Sequence, residues 1–280
     1  MKVAITGASG FVGRHVVRAI AKRGDVEVVA TSRHDAADGL PPGVRHVSLD
    51  LAAPPADAFA VLGRPDALIH LAWSGLPNYQ SRHHFETELP RQYAFLRQLV
   101  ESGLGELLSV GTCFEYGMRA GELDESLPTD PQNPYGYAKD ALRRQLEFLA
   151  AETGLRLTWA RLFYMYGEGQ APSSLYGQFM AAGQAGVDEF PMSGGEQLRD
   201  YLEVCDVARS IVELACCAPG AGIVNICAGR PTSVRNLVEG WLCERGWPMT
   251  LSLGRYPYPT YEPMAFWGCN AKLLRLLEPT

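Results

Sequence analysis

Lys2-Val3-Ala4-Ile5-Thr6-Gly7-Ala8-Ser9-Gly10-Phe11-Val12-Gly13 decides the fold of this chain. The first five residues read as a short apolar strand. A turn of small residues follows at once, and Val12, Val16, Val17, Ile20 and Ala21 then recur at helical spacing. Strand, glycine turn and helix in this order open a βαβ unit. Gly7 permits the tight bend, Gly10 lets the backbone approach a pyrophosphate, and Gly13 lets the helix pack close to the strand. The helix N-terminus then presents unpaired N–H groups to negative charge. The stretch therefore predicts a dinucleotide site.

The surrounding pattern extends that unit into a Rossmann-type α/β fold. Strands are expected at Val26 to Thr31, Val44 to Leu49, Ala67 to Leu71, Leu104 to Val110, Leu155 to Leu162 and Ile223 to Cys227. A short helix is expected within Ala52 to Ala60. Longer helices are expected at Phe85 to Glu101, from Tyr135 to about Ala151, and at Ser174 to Ala185, Asp206 to Ala218 and Ser233 to Arg245, with a short one at Asn270 to Leu277. Gly121 to Pro134 reads as a polar surface loop, and Arg199 to Leu202 as a short strand. The regular alternation stops after Gly169. The expected organisation is a doubly wound parallel sheet over residues 1–168, with 169–280 mainly a small C-terminal substrate lobe and 199–230 partly returning to the core.

Composition narrows the function. The 280 residues carry a formal net charge of -6 and are 47% hydrophobic, which disfavours nucleic acid as the main partner. No apolar run reaches membrane-spanning length. The apolar start reads as a buried strand rather than a signal peptide, because turn chemistry and not a cleavage site follows it. Seven cysteines, odd in number and without a C-x-x-C pair, fit reduced thiols in a cytoplasmic protein better than disulfides or a metal site.

Thr31-Ser32-Arg33-His34 ends the second strand, where an NAD enzyme usually places a carboxylate on the ribose 2′-hydroxyl. Arginine can instead grip a 2′-phosphate through forked, charge-assisted hydrogen bonds, so Ser32 and Arg33 favour NADP(H), with Arg14 as a helper. Asp35 is close enough to keep NAD(H) in play. Asp50 ends the third strand and either meets the adenine amine or caps the helix that follows. The small Ala72 suits close passage of a cofactor, and His70 reads as a structural histidine rather than a base.

Tyr135 and Lys139 stand four apart, one turn apart on a helix face. The lysine charge is expected to lower the phenol pKa. Thr112, just past a strand ending at the same rim, can donate to a substrate oxygen while Tyr135 moves the proton. These are the donors that hydride transfer at a carbonyl needs, because charge grows on the oxygen.

Taken together, the motifs resemble the extended short-chain dehydrogenase/reductase family, in its nucleotide-sugar epimerase, dehydratase and 4-ketoreductase branch. The glycine turn, His70-Leu71-Ala72 and Thr112 four residues before Tyr116-Gly117 carry the likeness. So do Pro134-Tyr135-Gly136-Tyr137-Ala138-Lys139, Arg161 to Gly167, Arg199-Asp200-Tyr201-Leu202, Asp206-Val207-Ala208 and Val224-Asn225-Ile226.

The resemblance implies a catalytic trio of Thr112, Tyr135 and Lys139. It implies cofactor contacts from Gly7, Ser9, Gly10, Phe11, Val12, Gly13, Ser32, Arg33, Asp50, Leu51, Leu71, Ala72, Tyr135 and Lys139. For the substrate it implies Thr112, Cys113, Tyr164 and Arg199, with Arg199 gripping a nucleotide diphosphate. A structural ion pair of Arg199 with Asp200 or Asp206 is the alternative. Tyr164 replaces the family's usual Asn, and Cys113-Phe114 replaces the Asp-Glu that follows the Thr in dehydratases.

The implied activity is NADPH-dependent 4-ketoreduction of a dTDP- or GDP-linked 4-keto-6-deoxy sugar, without a metal. The alternatives are an NAD-dependent epimerase and a non-catalytic NADP-binding protein. Homodimerisation through core helices is a further implication. The aromatic tail, with Tyr256, Tyr258, Tyr261, Phe266 and Trp267, either lines the substrate pocket or seals the small lobe.

Overall fold

A computed structural model describes residues 1–33, 39–258 and 261–278. His34 and Asp35 lie outside them. Seven strands form one all-parallel sheet: β1 (Lys2–Thr6), β2 (Glu27–Ser32), β3 (Val44–Ser48), β4 (Ala67–His70), β5 (Glu106–Thr112), β6 (Arg156–Leu162) and β7 (Gly222–Ile226). Their order is β3-β2-β1-β4-β5-β6-β7. The order reverses between β1 and β4, where ligands bind in open α/β sheets. Registers Thr6↔His70, His70↔Ser109 and Thr112↔Leu162 bring the carboxyl ends of β1, β4, β5 and β6 to one rim.

Both faces of the sheet are covered, as the near-continuous apolar strands require. Val3 and Ile5 of β1 face a cluster with Val16, Val17 and Ile20 of α1 (Phe11–Ile20) and Ile211 of α6 (Val204–Cys217). Ala4 points the other way, with Leu68, towards Phe95, Leu96 and Leu99 of α3 (Leu89–Glu101) and Leu142 and Leu146 of α4 (Pro134–Thr153). Each such fully buried aliphatic contributes about 1.5–3 kcal/mol of transfer free energy.

A third cluster stands apart from the sheet. It joins Phe179 of α5 (Leu175–Gln184), Val238 and Trp241 of α7 (Val234–Arg245), and Phe190, Met192 and Met249. The parallel strand pair Glu189–Pro191 and Thr250–Ser252 closes it. A fourth cluster joins Cys113, Tyr116, Phe163, Cys227 and Phe266.

Several local expectations are corrected. The Gly121 to Pro134 loop contains a strand, Gly121–Leu123, paired with Phe266–Gly268. Its partner lies some 140 residues away, so no local pattern announces it. The helix expected from Phe85 opens as a π-helical turn, His84–Glu88, before α3. The helix expected in Ala52 to Ala60 is a single turn, Ala58–Val61, capped by Asp57. The strand at Arg199 to Leu202 is broken at Asp200. Its carboxylate leaves the ladder to accept from the N–H groups of Ala228, Gly229 and Gly268.

Candidate active site

The glycine turn is fixed by contact distances. Gly7 has φ +71°, and a Cβ there would sit 2.8 Å from the Ala72 nitrogen. A Cβ on Gly13 would lie 2.0 Å from the Gly7 carbonyl oxygen, so helix and turn can approach only without one. Helix α1 starts after Gly10 with no side-chain cap, which leaves its positive end for an anion.

Two cavities meet at this turn and share Gly7, Gly10, Leu71 and Trp73 as walls. One, of about 240 Å³, is also lined by Ser9, Ser32, Arg33, Asp50, Leu51 and Ala72. The other, of about 430 Å³, is lined by Phe11, Val12, Gly13, Thr112, Cys113, Tyr135, Lys139 and Tyr164. Every residue that the resemblance assigns to the cofactor thus lines one or other of these adjoining cavities, and the backbone cradle and uncapped helix end fit the diphosphate of a dinucleotide.

At the outer end of the groove Arg33 is exposed. The Arg14 guanidinium donates to the carbonyls of Ser9 and Gly10. With Ser9, Ser32, Arg18 and His46 it lines a neighbouring recess of about 270 Å³. Asp50 accepts from the Ala52 N–H at 3.0 Å while lining the groove, and closes a local turn rather than capping the helix that follows, whose cap is Asp57.

The catalytic candidates converge from two elements. Asn133 caps α4 by accepting from the Gly136 N–H, and Pro134 sets its first turn. This places Tyr135 at the helix start and Lys139 one turn on. Tyr135 is enclosed by the rings of Trp73, Tyr79, His84 and Phe114. Thr112 is the last residue of β5, and its Oγ1 accepts from the Phe114 N–H.

The sign of the Tyr135 shift is corrected. Burial first, then the neighbouring Tyr79, Glu115 and Cys113, raise its pKa well above the usual phenol value. Lys139 does not reverse this. Its ammonium lies 6.0 Å from the Tyr135 ring centre, donates to the Val110 carbonyl, and is itself pushed down to about 7 by burial. His70 is structural: it is fully buried, bonded to Thr6 Oγ1 at 2.8 Å, and pushed down to about 3 by burial and by the Lys139 charge.

Glu115 organises the floor and was not singled out in the sequence reading. It is fully buried and accepts from the Thr112 N–H, the Trp159 indole N–H and Arg161 Nε, the last at 2.7 Å. Thr112-Cys113-Phe114-Glu115 forms a reciprocal capping box, and T-x-x-E was the signal that could have found it. Glu88, also buried, accepts from Ser74 and Gln92 and ties down the loop after β4.

Arg199 lies outside the lining of both cavities. It is 3% exposed, donates through Nε and Nη2 to Glu262 and through Nη1 to the Leu198 and Met264 carbonyls, and stacks on Phe266. The anticipated ion pair exists, but its partner is Glu262 rather than Asp200 or Asp206. The Glu262 charge still reaches the cavity wall. It supports the raised pKa of Tyr79 and Tyr164, in both of which burial is the leading cause. The tail divides: Phe266 is buried against Tyr164, Tyr258 bonds Glu196, and Tyr256 and Tyr261 are exposed. None of the four lines the catalytic cavity.

Residues 3–227 match the model of the NAD dependent epimerase/dehydratase family. The chain belongs to this family. It is an extended short-chain dehydrogenase/reductase, of the NAD(P)-dependent oxidoreductase and epimerase class that modifies nucleotide sugars. One relative, dTDP-6-deoxy-L-talose 4-dehydrogenase (NAD(+)) of Aggregatibacter actinomycetemcomitans, is 28% identical over 272 residues, covering 96% of this chain and all of the relative. GDP-6-deoxy-D-mannose reductase of Pseudomonas aeruginosa is 27% identical, over 84% of this chain and 77% of that protein. The solved structure of MoeE5 in complex with UDP-glucuronic acid and NAD superposes with a TM-score of 0.84 at 26% identity, over 100% of this chain and 93% of that one. Among the described residues no helix is long and apolar enough to cross a membrane, and no cluster of His, Cys, Asp and Glu is arranged to hold a metal ion.

Proposed function

We propose that this family member reduces the C4 carbonyl of a dTDP- or GDP-linked 4-keto-6-deoxy sugar with NADPH. The observation that carries the reading is the shared groove. Thr112, Tyr135 and Lys139 line the inner cavity, and the outer one ends in Ser32 and Arg33. When bound, the dihydronicotinamide supplies the hydride.

The chain's own residues supply the rest. Tyr135, held neutral by burial, is in the protonation state that reduction needs, and gives its proton to the C4 oxygen. Thr112 donates to the same oxygen and steadies the charge that grows there. Lys139, 6.0 Å from the Tyr135 ring centre, would hydrogen-bond the nicotinamide ribose. Arg33, with Ser32 and the Arg14 recess, receives the 2′-phosphate. Tyr164, in the wall of the inner cavity, faces the substrate, while Arg199, buried on Glu262 outside both linings, backs that wall through the ring of Phe266.

The residues after Thr112 disfavour water elimination. Cys113 is a buried thiol whose pKa is raised by desolvation, Phe114 is apolar, and the Glu115 carboxylate is tied to Arg161 away from the cavity lining. An NAD-dependent epimerase is the second reading, favoured by relatives named UDP-glucose 4-epimerase. The proposal extends to a homodimer through the helix of Tyr135, on which Tyr137 and Phe148 stand exposed.

The test supplies NADPH and a 4-keto-6-deoxy sugar nucleotide and follows absorbance at 340 nm. One NADPH consumed per sugar supports the reductase. Inversion of a sugar nucleotide without net NADPH loss supports the epimerase.

A further inference from the structure

Trp73 stands where the two cavities meet and lines both. Its indole carries the Lys139 ammonium at 4.0 Å from the ring centre. A cation buried away from water gains more from an aromatic face than an exposed one does. The Lys139 side chain is 1% exposed, and its other anchor is the Val110 carbonyl at 3.0 Å.

The indole is itself locked. Its Nε1–H donates to His84 Nδ1 at 3.1 Å, and the two rings stack at 27°. Because Nδ1 accepts, the His84 proton is on Nε2, which donates to the Asn78 carbonyl at 2.8 Å. His84 is fully buried, and burial lowers its pKa, in keeping with the neutral form this bond requires. A chain of contacts thus runs from the Asn78 carbonyl through His84 and Trp73 to Lys139.

We propose that Trp73 is a positioning residue for the cofactor: its indole face, locked by His84, holds the Lys139 ammonium at the junction of the two cavities, ready for the nicotinamide ribose. Preordering a long, flexible lysine removes entropy that binding would otherwise lose. This rests on the groove taking a nicotinamide dinucleotide.

The test is a double-mutant cycle read as the NADPH dissociation constant by calorimetry, without substrate and at about pH 6, where a lysine with a pKa of about 7 carries its charge. Trp73→Met, which keeps apolar bulk but has no aromatic face, raises Kd about tenfold, the order expected from a lost desolvated cation–π contact. Trp73→Phe, which keeps a face, stays within about threefold of the unsubstituted chain. In a Lys139→Met background, Trp73→Met adds less than about twofold, because the partner is gone. If Trp73→Met does not fold, Trp73→Leu closes the same cycle.

An equal Kd penalty with and without Lys139 would show Trp73 to be a wall alone and overturn the proposal. So would equal penalties for Phe and Met. Failure of the unsubstituted chain to bind either NADPH or NADH would overturn the reading of the groove, and this inference with it.

Discussion

Glu115→Gln changes one atom at the centre of the catalytic floor. The carboxylate is fully buried and faces three donors: the Thr112 N–H, the Trp159 indole N–H and Arg161 Nε. Arg143 Nε lies 3.9 Å away. Glutamine keeps an accepting oxygen but turns an NH₂ towards groups that are themselves donors. It also removes the countercharge of Arg161, which is 1% exposed. Breaking a buried pair from one side costs about 3–5 kcal/mol, because the other charge stays in a poor solvent. For a chain of this size that corresponds to a fall in melting temperature of roughly 6–10 °C. The Thr112 amide is one of the donors, so kcat should fall as well, while NADPH affinity holds. Thermal unfolding by circular dichroism, with steady-state rates on the surviving fold, reads both. A melting temperature within about 1 °C of the unsubstituted chain would show that the Glu115 charge does not stabilise the buried Arg161.

Tyr135→Phe should bind NADPH normally in calorimetry and reduce substrate about 10²–10⁴-fold more slowly, and an unchanged rate would remove Tyr135 as the proton donor. Arg33→Ala should weaken NADPH about tenfold more than NADH, and equal losses for the two cofactors would end the 2′-phosphate reading. His70 is held neutral in the fold, with its pKa near 3 against an unfolded value of about 6.5. The unfolded chain therefore binds the extra proton between those values, and stability falls on acidification by up to about 1.4 kcal/mol per pH unit from this group. A pH series of urea denaturations on His70→Asn should show that slope reduced by about one proton, and an undiminished slope would place the acid sensitivity elsewhere. Glu262→Gln removes the countercharge of the buried Arg199 and should lower the melting temperature by several degrees, and an unchanged melting temperature would contradict that.

The sheet and the cofactor groove were legible because their signals are local. Strand, glycine turn and helix are contiguous from Lys2 to Ile20, and Tyr135 and Lys139 share one helix turn. What was hidden depends on groups brought together from afar. Glu262 reaches Arg199 across 63 residues, and Glu115 reaches Arg161 across 46. The strand at Gly121–Leu123 finds its partner only at Phe266–Gly268. The Tyr135 shift was misjudged for a related reason. A spacing of four shows that Lys139 is near, but not that Trp73, Tyr79, His84 and Phe114 strip the phenol of water. Nor does spacing show that the lysine is turned to a carbonyl and an indole.

Hydride delivery to C4 of a sugar nucleotide can be followed by isotope transfer. NADPH carrying deuterium at both C4 positions is incubated with the 4-keto-6-deoxy sugar nucleotide, and the product is read by NMR and mass spectrometry. One deuterium is expected, bound to C4 of the 6-deoxyhexose. Conversion of the sugar with no deuterium at C4 would rule out reduction by NADPH at that carbon.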